Sequence, residues 1–272
     1  DAQLLVLHVM NQAPHHRAWL MAHDTDLIDA TTWLRLDALA TRRQQGEPLA
    51  YLVGHKEFYG LDLQVDPRVL VPRPDTETLV DWALDVLPAI PGDHGPRTVL
   101  DLGTGSGAIA LALKATRPDL AVAAVDYSDN ALAVARANAS RLGLRVDFQQ
   151  GSWLTGLQGQ FHAIVSNPPY IAAQDAHLAN LTHEPLQALT SGADGLDDLR
   201  QIIQQAPPHL YPGGWLLLEH GYDQAEAVRE LLRAGGYSEV QSRCDLSGTE
   251  RCSGGRAKTA LCHHPDTHQL QA

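Results

Sequence analysis

The segment VSNPPYI, Val165 to Ile171, places two prolines between an amide side chain and a phenol, directly after an apolar run that reads as a strand. Neither proline can donate a backbone hydrogen bond, and each fixes its own φ. The residues ahead of them, Asn167 and Pro168, are driven into extended or turn geometry. The corner is therefore stiff and rich in acceptors: Asn167 offers its amide oxygen, and Pro168 offers a carbonyl with no accompanying N–H. Two fixed acceptors beside the ring of Tyr170 suit a planar group that carries NH2. Such a nitrogen is a weak nucleophile because its lone pair is delocalised. Acceptors that hold both hydrogens turn that lone pair toward an electrophile and stabilise the positive charge that develops on nitrogen. In-line placement against a sulfonium methyl would add the advantage of orientation. The candidate catalytic residues are Asn167, Pro168 and Tyr170. The competing structural reading is a Pro-Pro pair that only ends a strand, with Asn167 capping the next turn.

A second cluster precedes it. In VLDLGTGSGAIALAL, Gly103, Gly105 and Gly107 fall between a predicted strand and a predicted helix. Glycine permits positive φ and close approach of a ligand to the backbone. The helix start presents free amides and the favourable end of its dipole. Asp126 closes the next strand, about 20 residues on, where an acid can hold ribose hydroxyls. The combination predicts a nucleoside-containing cofactor at the carboxyl edge of a sheet. It leaves the cofactor open, because Gly103, Gly105 and Ala108 fit a dinucleotide turn while DxGxGxG fits an S-adenosylmethionine turn. Asp101 either holds the loop through backbone amides or lies near the ligand.

The elements that must position these clusters are legible as an alternation. Residues 1 to about 50 show apolar spacing of three and four, which predicts helices. EFYGLDLQVD alternates around Gly60 and predicts a hairpin. PRPDTETLV leads into a helix for which Asp75 or Thr76 is the expected cap. After the loop at 91–96, strands and helices alternate through TVLDL, AVAAVD, RVDFQQ, FHAIVSN and GWLLLEH, with EVQSRC and KTALCH as expected final strands. The alternation predicts an α/β fold with a mostly parallel sheet and helices on both faces. On such a sheet, the ends of neighbouring strands bring Asn167 beside the glycine turn.

Composition narrows the class. The chain has 272 residues, 44% hydrophobic, with a formal net charge of −12. That charge argues against a general grip on phosphate backbones. The three cysteines, Cys244, Cys252 and Cys262, form no CxxC pair, which predicts a reducing, cytoplasmic setting rather than a disulfide framework or zinc site. No apolar run reaches membrane-spanning length. The chain opens at Asp1 within a helical pattern, so further native sequence is expected ahead of it. His15 and His16 fall on an expected surface loop, and His263, His264 and His268 in the tail. None has metal-ligand spacing, so no metal is expected. Arg136, Arg141 and Arg145 read as a solvated helix face. Arg73 is expected to pair with a local acid such as Asp75, Thr76 and Glu77 to serve the helix start, and Glu219 to meet a neighbouring cation.

Through GEPLAYLVGHKEFYGLDLQVDPRVLVPRPDTETLV (46–80), the glycine turn, SNPPYI, EPLQAL…GADGL and GGWLLLEHG, the chain resembles the HemK/PrmC family, bacterial methyltransferases that act on a glutamine of peptide-chain release factors. The block at 46–80 is the specific part, since Asn-Pro-Pro-Tyr also occurs in adenine-amine DNA methyltransferases. The resemblance implies a class I S-adenosylmethionine-dependent methyltransferase fold, Rossmann-like, with a mostly parallel seven-stranded sheet. It implies a helical substrate-recognition domain over 1–50, a β-hairpin linker over 51–71 and a catalytic domain over 72–272. S-adenosylmethionine would be the methyl donor and S-adenosylhomocysteine the product. Gly103, Thr104, Gly105, Ser106, Gly107 and Asp126 would line the cofactor, with Trp153 near its adenine. Asn167 would touch cofactor and substrate, and Pro168, Pro169 and Tyr170 would hold the glutamine. The partner implied is a release factor, with no direct nucleic acid and no membrane. The alternatives are a nucleic-acid exocyclic-amine methyltransferase using the same corner, an NAD-dependent oxidoreductase and a binding module without turnover.

Overall fold

The computed structural model describes residues 1–88 and 95–258. Four helices open the chain: α1 (Ala2–Val9), α2 (Arg17–Ala22), α3 (Ala30–Gln44) and α4 (Leu49–Val53). Asp29 starts α3 by accepting from the amides of Thr31 and Thr32, which satisfies donors the helix itself leaves free. α1 packs on α3 and buries Leu5, Leu7 and Val9. The short α4 straddles the domain boundary expected at residue 50 and ends on Gly54 in left-handed geometry.

The expected hairpin forms from β1 (His55–Phe58) and β2 (Leu61–Gln64), which pair antiparallel. Its two-residue turn is Tyr59-Gly60, both at positive φ, a twist that matches paired strands. Two side chains from later helical segments fasten the hairpin. Glu77 accepts from the Tyr59 amide at 3.0 Å. Asn138 accepts from the Gln64 amide at 2.7 Å and donates to the Gln64 carbonyl at 3.0 Å.

A 3-10 turn at Pro74–Thr76 leads into α5 (Glu77–Val86), and the alternating region then runs β3 (Thr98–Leu102), α6 (Ala108–Thr116), β4 (Ala121–Asp126), α7 (Asp129–Leu142), β5 (Asp147–Gln150), β6 (Phe161–Ser166), α8 (Asp197–Gln205), β7 (Leu210–Glu219), α9 (Ala225–Ala234), β8 (Ser238–Cys244) and β9 (Glu250–Arg256). The seven strands are ordered β5-β4-β3-β6-β7-β9-β8. The first five run parallel, and β9 is antiparallel to both of its neighbours. Successive strand residues serve opposite layers, as a period of two requires. Val99, Ala163, Val165 and Leu217 pack with α5 and α6, while Leu100, Leu102, Ile164, Leu216 and Leu218 pack with α8 and α9.

The end of the sheet departs from expectation. β9 occupies ERCSGGR, which carries no strand-like alternation. A Cβ on Gly254 would stand 2.6 Å from Leu217 Cδ2 and 2.8 Å from the Leu216 carbonyl, so the close approach of β7 demands glycine there. The strand expected at KTALCH lies, beyond Lys258, outside the described residues, as do most of the 91–96 loop, Cys262 and the tail histidines. Among the described residues no helix is long and apolar enough to cross a membrane.

Candidate active site

The carboxyl ends of β3, β4 and β6 converge on a cavity of about 400 Å3, within the range of small-ligand sites. Its walls include Gly103, Gly105, Asp126, Trp153, Asn167 and Pro169. The glycine turn and the proline corner, remote from each other along the chain, thus face one space.

The turn is built by the strand-end acids. Gly103, Gly105 and Gly107 all have positive φ, at 68°, 55° and 85°, a region that L side chains rarely enter. Asp126 accepts from the Gly105 amide at 2.8 Å and from the Ser128 amide at 2.8 Å, and burial pushes its pKa up. Asp101 is fully buried. It accepts from the Thr104 hydroxyl at 2.6 Å and the Ala110 amide at 3.2 Å, so it is the brace that ties the turn to α6. Its second oxygen has no hydrogen-bond partner among the described residues, and burial raises its pKa to about 7. Thr104 and Ser106 are themselves buried. With Gly107 they shape the turn from behind the cavity wall, which Gly103 and Gly105 form. Trp153, at φ 51°, lays its ring against Gly103 and donates from Nε1 to Asp198 at 3.1 Å.

The proline corner is equally braced. Ser166, the last residue of β6, donates to the Leu102 carbonyl at 2.8 Å and so locks the ends of β6 and β3 together. Asn167 donates from Nδ2 to the Thr76 hydroxyl at 3.1 Å. Beyond it, the Tyr170 carbonyl accepts from Gln224 at 3.0 Å. The Tyr170 hydroxyl donates to Glu219 at 3.3 Å, and burial raises the phenol's pKa. Asn167 and Pro169 line the cavity, Pro168 between them is buried, and Tyr170 is half-buried.

Several side chains depart from their expected roles. Thr76 does not cap α5; it holds the carboxamide of Asn167. Arg73 pairs with Glu184, not Asp75, and Asp75 faces Arg251 at 3.5 Å. Glu77 is the expected first-turn acid of α5 and in addition accepts from the hairpin-turn amide of Tyr59. Among the described residues Glu219 forms no ion pair, while Arg251 pairs with Asp245 and Asp75. Arg136, Arg141 and Arg145 are exposed, as a solvated helix face requires, and Arg141 makes a surface ion pair with Asp62 of the hairpin.

Sequence reasoning missed the strap at 172–190. Ile171 bridges Thr190 at its base, and Pro185, Gln187 and Ala188 reach the cavity. Glu184 accepts from the Val71 amide at 3.1 Å, and His183 meets the Gln45 carbonyl at 3.2 Å. The strap has no periodic pattern, so only its EPLQAL stretch marked it. Tyr127 and Ser128, just after Asp126, also line the cavity. Among the described residues no three His, Cys, Asp or Glu side chains cluster as a metal site.

Comparison with known proteins accords with this architecture. The methyltransferase small domain family matches residues 80–194, and the PrmC N-terminal domain family matches residues 1–54. The release factor glutamine methyltransferase of Bordetella pertussis is 51% identical, covering 94% of this chain and 93% of its own. That of Yersinia pestis is 49% identical, covering 94% and 91%. Among solved structures, a methyltransferase from Pyrococcus furiosus superposes with a TM-score of 0.57 at 22% identity, covering 82% of this chain and 99% of its own. A 16S rRNA methyltransferase from T. thermophilus in complex with AdoMet and guanosine gives 0.54 at 20% identity, covering 75% and 50%. At those identities the structures speak to the fold, that of class I methyltransferases, while near-full-length identity of about half shows the family: the chain belongs to the release factor glutamine methyltransferases.

Proposed function

We propose that this protein transfers a methyl group from S-adenosylmethionine to the side-chain amide nitrogen of the glutamine in the Gly-Gly-Gln loop of peptide-chain release factors, in the cytoplasm. The observation that carries the reading is the bond from Asn167 Nδ2 to Thr76. A carboxamide whose nitrogen is occupied in this way keeps its oxygen as an acceptor, in a residue that lines the same cavity as the glycine turn.

The residues present fit the cofactor. Gly103 and Gly105 leave the cavity wall free of side chains, Asp126 stands at the end of β4 for ribose hydroxyls, and Trp153 with Tyr127 offers flat surface for a purine. When bound, S-adenosylmethionine supplies an electrophilic methyl group on a sulfonium. The protein's own contribution is to hold the substrate amide. Asn167 Oδ1 and the Pro168 carbonyl take its two hydrogens, orient its lone pair, and stabilise the charge that forms on nitrogen. Pro169 keeps the corner stiff. The ring of Tyr170 lies against the face of the substrate amide.

Mass spectrometry of a release factor incubated with this protein and S-adenosylmethionine tests the reading. The expected result is a gain of one methyl on the glutamine-bearing peptide. Labelling of DNA or RNA with the release factor left unmodified would overturn it in favour of a nucleic-acid amine methyltransferase.

A further inference from the structure

Glu219 ends β7 in the strand position next to the corner, 1% exposed, with Oε1 taking the Tyr170 hydroxyl and Oε2 without a hydrogen-bond partner among the described residues. A buried carboxyl with a free oxygen is expensive to maintain. The Thr76 hydroxyl stands beside this carboxyl and favours its ionised form. On its other side the same hydroxyl accepts from Asn167. It has no other hydrogen-bond partner among the described residues.

Resting on the glutamine-amide reading above, we propose that Glu219 is a positioning residue: through the Thr76 hydroxyl it sets which end of the Asn167 carboxamide faces the substrate. A hydroxyl donates or accepts with equal ease. Thr76 alone would therefore tolerate either orientation of Asn167. An ionised carboxylate only accepts, so it draws the Thr76 hydrogen toward itself and turns the hydroxyl's lone pairs to Asn167. Only Nδ2 can then face Thr76, and Oδ1 is delivered to the substrate. The reversed chain would present an NH2 to an NH2 and repel the glutamine amide. Glu219 thereby selects for a substrate that donates.

Glu219→Gln tests this at nearly constant volume. Tyr170 retains an oxygen acceptor, and the new NH2 falls toward Thr76, reversing the chain. The expected result is a fall in kcat of about tenfold or more, with unchanged S-adenosylmethionine affinity by calorimetry and an unchanged unfolding temperature. Thr76→Val should show the same loss, Thr76→Ser should recover most of it, and the double variant Glu219→Gln/Thr76→Val should be no worse than either alone. The wild-type kcat should fall on acidification through neutral pH, because burial holds the Glu219 pKa at about 7, and this limb should vanish in Glu219→Gln. Around Glu219 stand Tyr170 from the corner, Asp75 from the 3-10 turn, and Arg251 and Cys252 from β9.

Wild-type turnover retained in Glu219→Gln, losses that multiply in the double variant, or losses that track cofactor affinity or unfolding would each overturn the inference alone. A wild-type protein that leaves the release factor unmodified would instead overturn the reading on which it rests, and the inference with it.

Discussion

The ring of Trp153 lies so close to Gly103 that a Cβ on that glycine would stand 3.2 Å from the ring atom Cζ3. The glycine also sits at φ 68°. Both facts confine position 103 to a residue without a side chain. Gly103→Ala should therefore displace Trp153 and strain the turn, at about 1–2 kcal/mol for the backbone alone. Titration calorimetry with S-adenosylmethionine should show affinity at least about tenfold weaker. Unchanged affinity would mean that the glycine turn does not form the cofactor wall.

Asn167→Ala removes the acceptor while leaving the prolines in place. Loss of one preorganised group at a reacting centre lowers turnover by about 10²–10³. Single-turnover methylation of release factor should show that loss, with a much smaller change in cofactor affinity. Normal turnover in this variant would eliminate the acceptor-pair mechanism.

Glu184→Ala should loosen the strap. Glu184 is buried, takes the Val71 amide and pairs with Arg73. Its removal leaves a buried N–H unpaired, which costs about 1–3 kcal/mol. A lower unfolding temperature and faster proteolytic cleavage within 172–190 are the expected readings. Cleavage at the wild-type rate would show that the strap is held by other contacts.

Asp101 predicts a pH dependence of stability with a definite sign. Its folded pKa, about 7, lies above its ordinary carboxylate value, so the folded state binds the proton more tightly than the unfolded one. The stability it contributes is fully present below the unfolded pKa of about 4 and is lost as pH rises through the folded one. Between about pH 6 and pH 8 the wild-type unfolding temperature should fall more than that of Asp101→Asn. Equal slopes for the two proteins would place the Asp101 titration elsewhere.

Legibility in the sequence tracks what is local. TVLDL, AVAAVD and the other parallel strands announce themselves through apolar runs bounded by turns, and Gly60 and Gly143 mark turns because few residues adopt positive φ. β9 escapes such reading because its glycines answer to Leu217, Leu216 and Tyr237, contacts made by other strands and loops. The strap escapes it because its hold on the cavity runs through Glu184 and His183 to Val71, Arg73 and Gln45. Thr76 is an expected helix cap because Ser and Thr before an apolar run commonly serve as one. Its actual partner, Asn167, is 91 positions away.

The amino-acid sequence by itself determined the alternation of strands and helices from β3 to β8, the stiffness of Asn167-Pro-Pro-Tyr170, and the open backbone at Gly103 and Gly105. These properties belong to backbone torsions and short-range periodicity, which a chain carries wherever it goes. Only the tertiary structure decided that Asp101 braces the turn, that Arg73 meets Glu184, that Thr76 holds Asn167 and that Glu219 takes the Tyr170 hydroxyl. Those pairings exist because folding closes distances between remote positions, and a buried polar atom takes whichever partner the packed sheet brings within reach.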